Sequence, residues 1–288
     1  MSAGFSTEWL RLREPFDAAA RAAELVALIA PDPAELPLDV VDLGAGTGSN
    51  LRYLAPRLGG MQRWLLVDHD AALLAAADAA TQEWAEANAA QVAVRGAQLR
   101  VWGTGFAAEV RRARVDLATD LKSVIVPQRA LVTGAALLDL VSAQWLRTLG
   151  QQCHAARADL LFALCYDGTT ACTPAEPEDR EVLELFNRHQ LADKGFGPAL
   201  GPSAPHYAEQ VLAALGYRLQ SRKSDWRIAR SDAALQRALI DGWLEAAVEI
   251  APERGAALED WRRRRLAHIA AGRSTLVVGH VDLSGRLG

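Results

Sequence analysis

One run limits what this chain can fold into more than any other: Val40-Val41-Asp42-Leu43-Gly44-Ala45-Gly46-Thr47-Gly48-Ser49-Asn50. A short β-branched stretch reads as a strand, the alternating glycines as a sharp turn, and the residues after Gly48 as the start of a helix. Glycine lets the backbone turn tightly and lets a ligand approach with no Cβ in the way. The helix start adds free N–H groups and a positive dipole end, which favour a carboxylate or a phosphate. A dinucleotide site needs G-x-G-x-x-G. Here Ser49 stands where the third glycine would be, and Asp42 precedes the turn.

Around this run, strand-like and helix-like stretches alternate. Strands are expected at 38–43, 63–68, 114–117 (with 98–102 competing for that place), 130–133, 159–165, 217–228 and 274–281. Helices are expected at 18–30 (with Pro15 in the first turn and Pro31 and Pro33 ending it), 50–58, 70–89, 143–155, 180–190, 207–215, 232–249 and 256–271. Such alternation argues for an α/β fold: a Rossmann-like, mostly parallel seven-stranded sheet with helices on both faces. The expected organisation is a single domain over 1–288. It has an N-terminal helical segment at 1–36, a cofactor-binding core at 38–165, and a C-terminal part of the sheet at 207–288. Residues 167–206, rich in Pro, Gly and charge, read as a helical and loop insertion after strand five.

Bulk properties exclude several classes. The formal net charge is −4, so the excess of cations that a nucleic-acid binder uses against phosphates is missing. The run 262–265 is four arginines, but consecutive helical positions point in different directions, and a solvated surface is expected. Cys153, Cys165 and Cys172 are odd in number and show no C-x-x-C, so neither a disulfide framework nor a zinc site is implied. With no apolar leader and no long apolar run, a reduced cytoplasmic protein with no membrane span is expected. Six histidines without an H-x-x-x-H pattern give no expected metal site.

The turn resembles motif I of the class I S-adenosylmethionine-dependent methyltransferases, approximately D-x-G-x-G-x-G, here Asp42-Leu43-Gly44-Ala45-Gly46-Thr47-Gly48. The likeness covers about 38–165 and the last two strands. It implies S-adenosyl-L-methionine as cofactor and methyl transfer to a small-molecule acceptor. Asp68, 20 residues after Gly48, is placed to accept hydrogen bonds from ribose hydroxyls, although Asp70 competes for a capping role there. The stretch 115–121 resembles the family's segment after strand three, making Asp116 the adenine partner and Leu117 a backbone donor, with Asp120 as competitor. Thr133 ends strand four, where some amino-directed members carry an Asn/Asp-Pro-Pro-Tyr box; Thr133-Gly134-Ala135-Ala136 departs from it. The implied cofactor set is Asp42, Gly44, Ala45, Gly46, Gly48, Asp68, His69, Asp116, Leu117, Thr133 and Arg13. Arg13 and Arg21 are the candidates for the methionine carboxylate, Arg21 also standing i,i+4 to Asp17 as a surface pair.

Methyl transfer from a sulfonium is mainly a matter of positioning, so no fixed catalytic residue follows. Acceptor-side candidates are Asp139, just inside the helix after strand four, Tyr166 with Asp167 directly after strand five, and His189, Lys194, Phe196 and His206 of the insertion. Residues 186–202 are expected to close over the substrate, with Gly195 and Gly197 as hinges; the alternative is that Phe196 is a core plug. A nicotinamide oxidoreductase, a non-catalytic binder of the same cofactor and an RNA methyltransferase remain alternatives.

Overall fold

The computed structural model describes residues 5–29, 37–96 and 98–287. The first elements are α1 (Thr7–Ala20) and α2 (Ala23–Ile29). Ser6 caps α1 by accepting the Trp9 N–H at 3.1 Å. The helix therefore begins well before Pro15 and carries it in its interior rather than in the first turn. Residues 30–36, with the prolines expected to end this stretch, lie outside the described residues. Then come β1 (Leu38–Leu43), α3 (Ser49–Leu58), β2 (Gly60–Asp68) and α4 (Ala71–Ala87), the last capped by Asp70.

The region expected to hold one strand holds three: β3 (Gln91–Arg95), β4 (Gln98–Gly103) and β5 (Phe106–Arg114). β4 occupies the competing stretch, while β5 takes the place beside β2, in register from Gly60↔Phe106 to Asp68↔Arg114. The charged, outward-facing Glu109 and Arg111 hide β5 in the sequence; its inward set Phe106, Ala108 and Val110 is buried. Residues 115–117 have already left the sheet, and the short α5 (Leu117–Asp120) follows.

Next are β6 (Leu131–Ala135), α6 (Ala143–Ala155), β7 (Asp159–Thr173), α7 (Asp179–Gln190) and α8 (Ala204–Ala214). The chain finishes with β8 (Tyr217–Lys223), β9 (Trp226–Ile228), α9 (Ala233–Ile250), α10 (Gly255–Ala270) and β10 (Thr275–Leu287). Two expectations change here. β7 continues eight residues past 165, because β10 pairs antiparallel along it to Thr275↔Thr173. Tyr166 and Asp167 therefore lie within a strand, and the loop and helix region starts later than 167. The stretch 217–228 is two strands, both paired with β10.

The sheet has ten strands among the described residues, in the order β3-β4-β5-β2-β1-β6-β7-β10-β8, with β9 on β10. β5-β2-β1-β6-β7 are mutually parallel; the flanking pairs are antiparallel. This is a Rossmann-like α/β arrangement, wider than the expected seven strands and mixed at both edges. Strand periodicity explains its two cores. Val41, Val132 and Leu160 pack on the α6 and α8 side, while their neighbours Val40, Leu131 and Leu161 pack on the α2, α3 and α4 side. A third cluster joins α7, α9 and α10 to the extended ends of β7 and β10, with Trp9, Leu12 and Phe16 of α1 against it.

The arginine run is not a solvated surface throughout. Arg265 is fully buried and donates to Asp179, and Arg264 pairs with Glu176 and Glu178. No described helix is long and apolar enough to cross a membrane.

Candidate functional site

The glycine turn sits where the strand order reverses, at the carboxyl ends of β1 and its neighbours β2 and β6, the position at which open α/β sheets bind ligands. Gly44, Gly46 and Gly48 all take left-handed φ, +53° at Gly46. A Cβ on Gly46 would stand 3.1 Å from Cδ1 of Leu10, so α1 lies directly over the turn. Asp68, at the end of β2, is buried. Its Oδ2 accepts the Gly46 N–H at 2.8 Å and its Oδ1 the Asp70 N–H at 2.9 Å. Asp70, not Asp68, caps α4, accepting from Ala72 and Leu73. Exposed His69 stands beside Asp68, Nδ1 to Oδ1 at 3.3 Å.

Behind the turn is a buried polar network. Asn50 donates from Nδ2 to Asp42 Oδ1 at 2.8 Å and to Thr133 Oγ1 at 3.0 Å. Thr133 donates onward to the Leu161 carbonyl at 2.7 Å. Arg21 Nη1 donates to Asn50 Oδ1 at 2.6 Å. Burial pushes the Asp42 carboxyl up to about 7, against the lowering effects of Asn50 and Arg21. On the outer side Arg52 donates to the Thr47 carbonyl at 2.6 Å and pairs with Glu14, fastening α1 and the turn to α3.

A cavity of about 820 Å³ runs beneath α1 between α3 and α4. Arg21, Thr47, Ser49, Ala135 and Leu164 are among its lining residues. Its volume lies within the range of small-molecule sites, about 300–1,000 Å³. The motif glycines and Asp68 are not themselves in its lining; Gly46 lies between the lining residue Thr47 and the covering Leu10.

The other predicted residues divide. Asp116 is exposed and caps α5 by accepting the Ala118 N–H at 2.9 Å, while Leu117 is buried in the core and gives its carbonyl to Trp145. Arg13 is not in the cavity lining: it forms a two-pronged pair with Asp17 and stacks over Trp226. Asp17 thus pairs with Arg13, not with Arg21 as the surface reading had it. Asp139 lies in the turn before α6, outside any helix, and is buried; desolvation raises its carboxyl to about 6. Tyr166 is buried against Phe186 and His280 and donates its hydroxyl to Asn187. His189 contacts Glu249, and Lys194 lies 3.5 Å from His189. Phe196 packs edge-on against Trp145, with ring centroids 5.6 Å apart. Exposed His206 pairs with Gln210 of its own helix, α8, at 2.9 Å. None of these acceptor-side residues lines the cavity.

Sequence reasoning missed Asn50, Glu14, Arg52 and Asp282. Asn50 ends the glycine-rich run, and its place at the start of the helix, across the glycine turn from Asp42, was the available signal. Asp282 carried none, because its partners are backbone groups far away in the chain. Among the described residues no group of three or more His, Cys, Asp or Glu is placed to hold a metal ion.

No family model matches the chain, and no curated protein matches it. Solved structures do. The chain is similar to the cyclopropane synthase MmaA2 from Mycobacterium tuberculosis, at 12% identity over 91% of this chain and 83% of that one, TM-score 0.42. A cyclopropane-fatty-acyl-phospholipid synthase-like protein from Lactobacillus casei matches at 14% identity over 99% and 95%, TM-score 0.47. A geranyl diphosphate methyltransferase in complex with SAM matches at 12% identity over 99% and 93%, TM-score 0.44. At these values the likeness says nothing about what this chain acts on.

Proposed function

We propose that this chain is an S-adenosylmethionine-dependent methyltransferase acting on a small-molecule acceptor, as a single domain working in the cytoplasm. The observation that carries the reading is the Asp42–Gly48 turn in its left-handed form at the switch point, held against Asp68 of β2 and bordering the cavity. Asp68 keeps lone pairs beyond its two backbone bonds with which to accept ribose hydroxyls, and the turn leaves room for a backbone–ligand approach. Leu10 of α1 would form the cover. Asp116 and Leu117 are placed beyond β5 as the candidates for the base. The cofactor supplies an already activated methyl group. The chain's own part is then to orient donor and acceptor in line and to exclude water. Asp139, buried just past the end of β6, and Tyr166, buried within β7, are the candidates on the acceptor side.

The test is calorimetry with S-adenosylhomocysteine and with NAD, followed by transfer of label from the methyl donor to separated metabolite and RNA pools. Binding of S-adenosylhomocysteine with label entering small molecules is the expected result. Binding of NAD instead would establish the oxidoreductase reading, and binding without transfer the non-catalytic one.

A further inference from the structure

We infer that Arg21 is the receptor for a carboxylate, namely that of the amino-acid end of the cofactor, which makes this inference rest on the reading above. Arg21 lines the cavity together with Thr47 and Ser49 at the glycine turn. It is buried, and its guanidinium lies 4.2 Å over the Tyr53 ring. Nη1 is spent on Asn50, whereas Nη2 has no hydrogen-bond partner among the described residues. Burial disfavours the Arg21 charge; the carboxylates of Asp282, Asp42 and Asp17 favour it only through space, while its hydrogen bond goes to a neutral amide, a costly arrangement unless an anion completes it.

The neighbouring carboxylates do not complete it. Asp17 is taken by Arg13 and by Trp226 Nε1. Asp282 is taken by two backbone N–H groups, those of Ala22 and Leu164. Asp42 reaches Asn50, not Arg21. The planar fork of arginine suits a carboxylate, which it can hold with two parallel bonds.

The surroundings favour an amino acid over a phosphate. Asp42 Oδ2, also buried, likewise has no partner among the described residues. The two unpartnered atoms have opposite character, and Asn50 links their groups: its Oδ1 accepts from Arg21 and its Nδ2 donates to Asp42. An α-amino acid brings a carboxylate for one and an ammonium for the other. A diphosphate would bring only negative charge toward Asp42, Asp68 and Asp282.

Three ligands separate the possibilities: S-adenosylhomocysteine, its decarboxylated analogue and 5′-methylthioadenosine, which lacks the amino-acid end. The parent is expected to bind the first about 10–150-fold more tightly than the second, the range for loss of a hydrogen bond to a charged group. In Arg21→Met that preference should vanish, with 5′-methylthioadenosine affinity unchanged as the check on folding. Equal affinity of the parent for S-adenosylhomocysteine and the decarboxylated analogue overturns the assignment with no variant needed. So does an Arg21→Met protein that keeps the preference. If the parent binds none of the three, the cofactor reading itself has failed.

Discussion

Asp282 holds Leu164 in a left-handed conformation: its Oδ1 accepts the Leu164 N–H at 2.8 Å, and Leu164 has φ +56°. Its other oxygen accepts the Ala22 N–H at 2.9 Å. One buried carboxylate thus ties the cavity wall in β7 to the junction after α1. Asp282→Ala leaves two buried N–H groups without an acceptor. At about 1–3 kcal/mol each, the expected loss is about 2–6 kcal/mol in urea unfolding. Asp282→Asn, which keeps one accepting oxygen, should lose less.

Gly46→Ala meets two separate obstacles, a left-handed backbone and Leu10 Cδ1 at 3.1 Å. The backbone term is about 1–2 kcal/mol. The contact should be relieved by adding Leu10→Ala, so the double variant is expected to recover part of the lost melting temperature and not all of it. A full recovery would show that the conformation of the turn imposes nothing.

For Asp68, Asn is the informative replacement. It keeps an acceptor for the turn while losing the charge and one accepting atom. S-adenosylhomocysteine affinity is expected to fall about 10–150-fold, read by calorimetry. Asp68→Ala should lose more thermal stability than Asp68→Asn, since it also abandons the Gly46 and Asp70 N–H groups.

The raised Asp42 carboxyl makes a signed pH prediction. A group bound to its proton up to about pH 7 when folded, but only to about 3.8 when unfolded, stabilises the fold at low pH and loses that contribution as pH rises through about 7. Relative to Asp42→Asn, the parent is expected to lose about 1.4 kcal/mol per pH unit between roughly pH 4 and 7, then hold a constant difference. A parent–variant difference independent of pH would mean that Asp42 is ionised throughout.

The segment after α7 is more anchored than a free lid. Asp193 accepts the Gly195 and Gly197 N–H groups, Leu200 N–H donates to the Val141 carbonyl, and Phe196 packs on Trp145. Phe196→Ala is expected to cost up to about 3 kcal/mol, below the range for a fully buried ring. Once an acceptor is found, a recognition role requires Lys194→Ala or His189→Ala to lower kcat/KM while S-adenosylhomocysteine affinity stays unchanged. Unchanged kcat/KM in both leaves the segment a structural support.

The turn at 44–48 and the order of strands and helices around it were legible in the sequence because both are local. Glycines at alternate positions and β-branched runs act within a few residues. β7 beyond Cys165 was not legible: Asp167-Gly168 reads as a turn, and only pairing with β10, more than a hundred residues away, keeps the chain extended to Thr173. β5 was hidden by charges that its outward face carries. The partner of Asp17 was undecidable for a sharper reason. Arg13 and Arg21 stand four residues to either side of it, and helical spacing allows both. The structure decides because α1 ends at Ala20, and Arg21 has ψ +140°, outside the helix. That single departure, pinned by Asp282 at Ala22, turns Arg21 away from the helix face and into the wall of the cavity, while Arg13 stays on the helix and keeps Asp17.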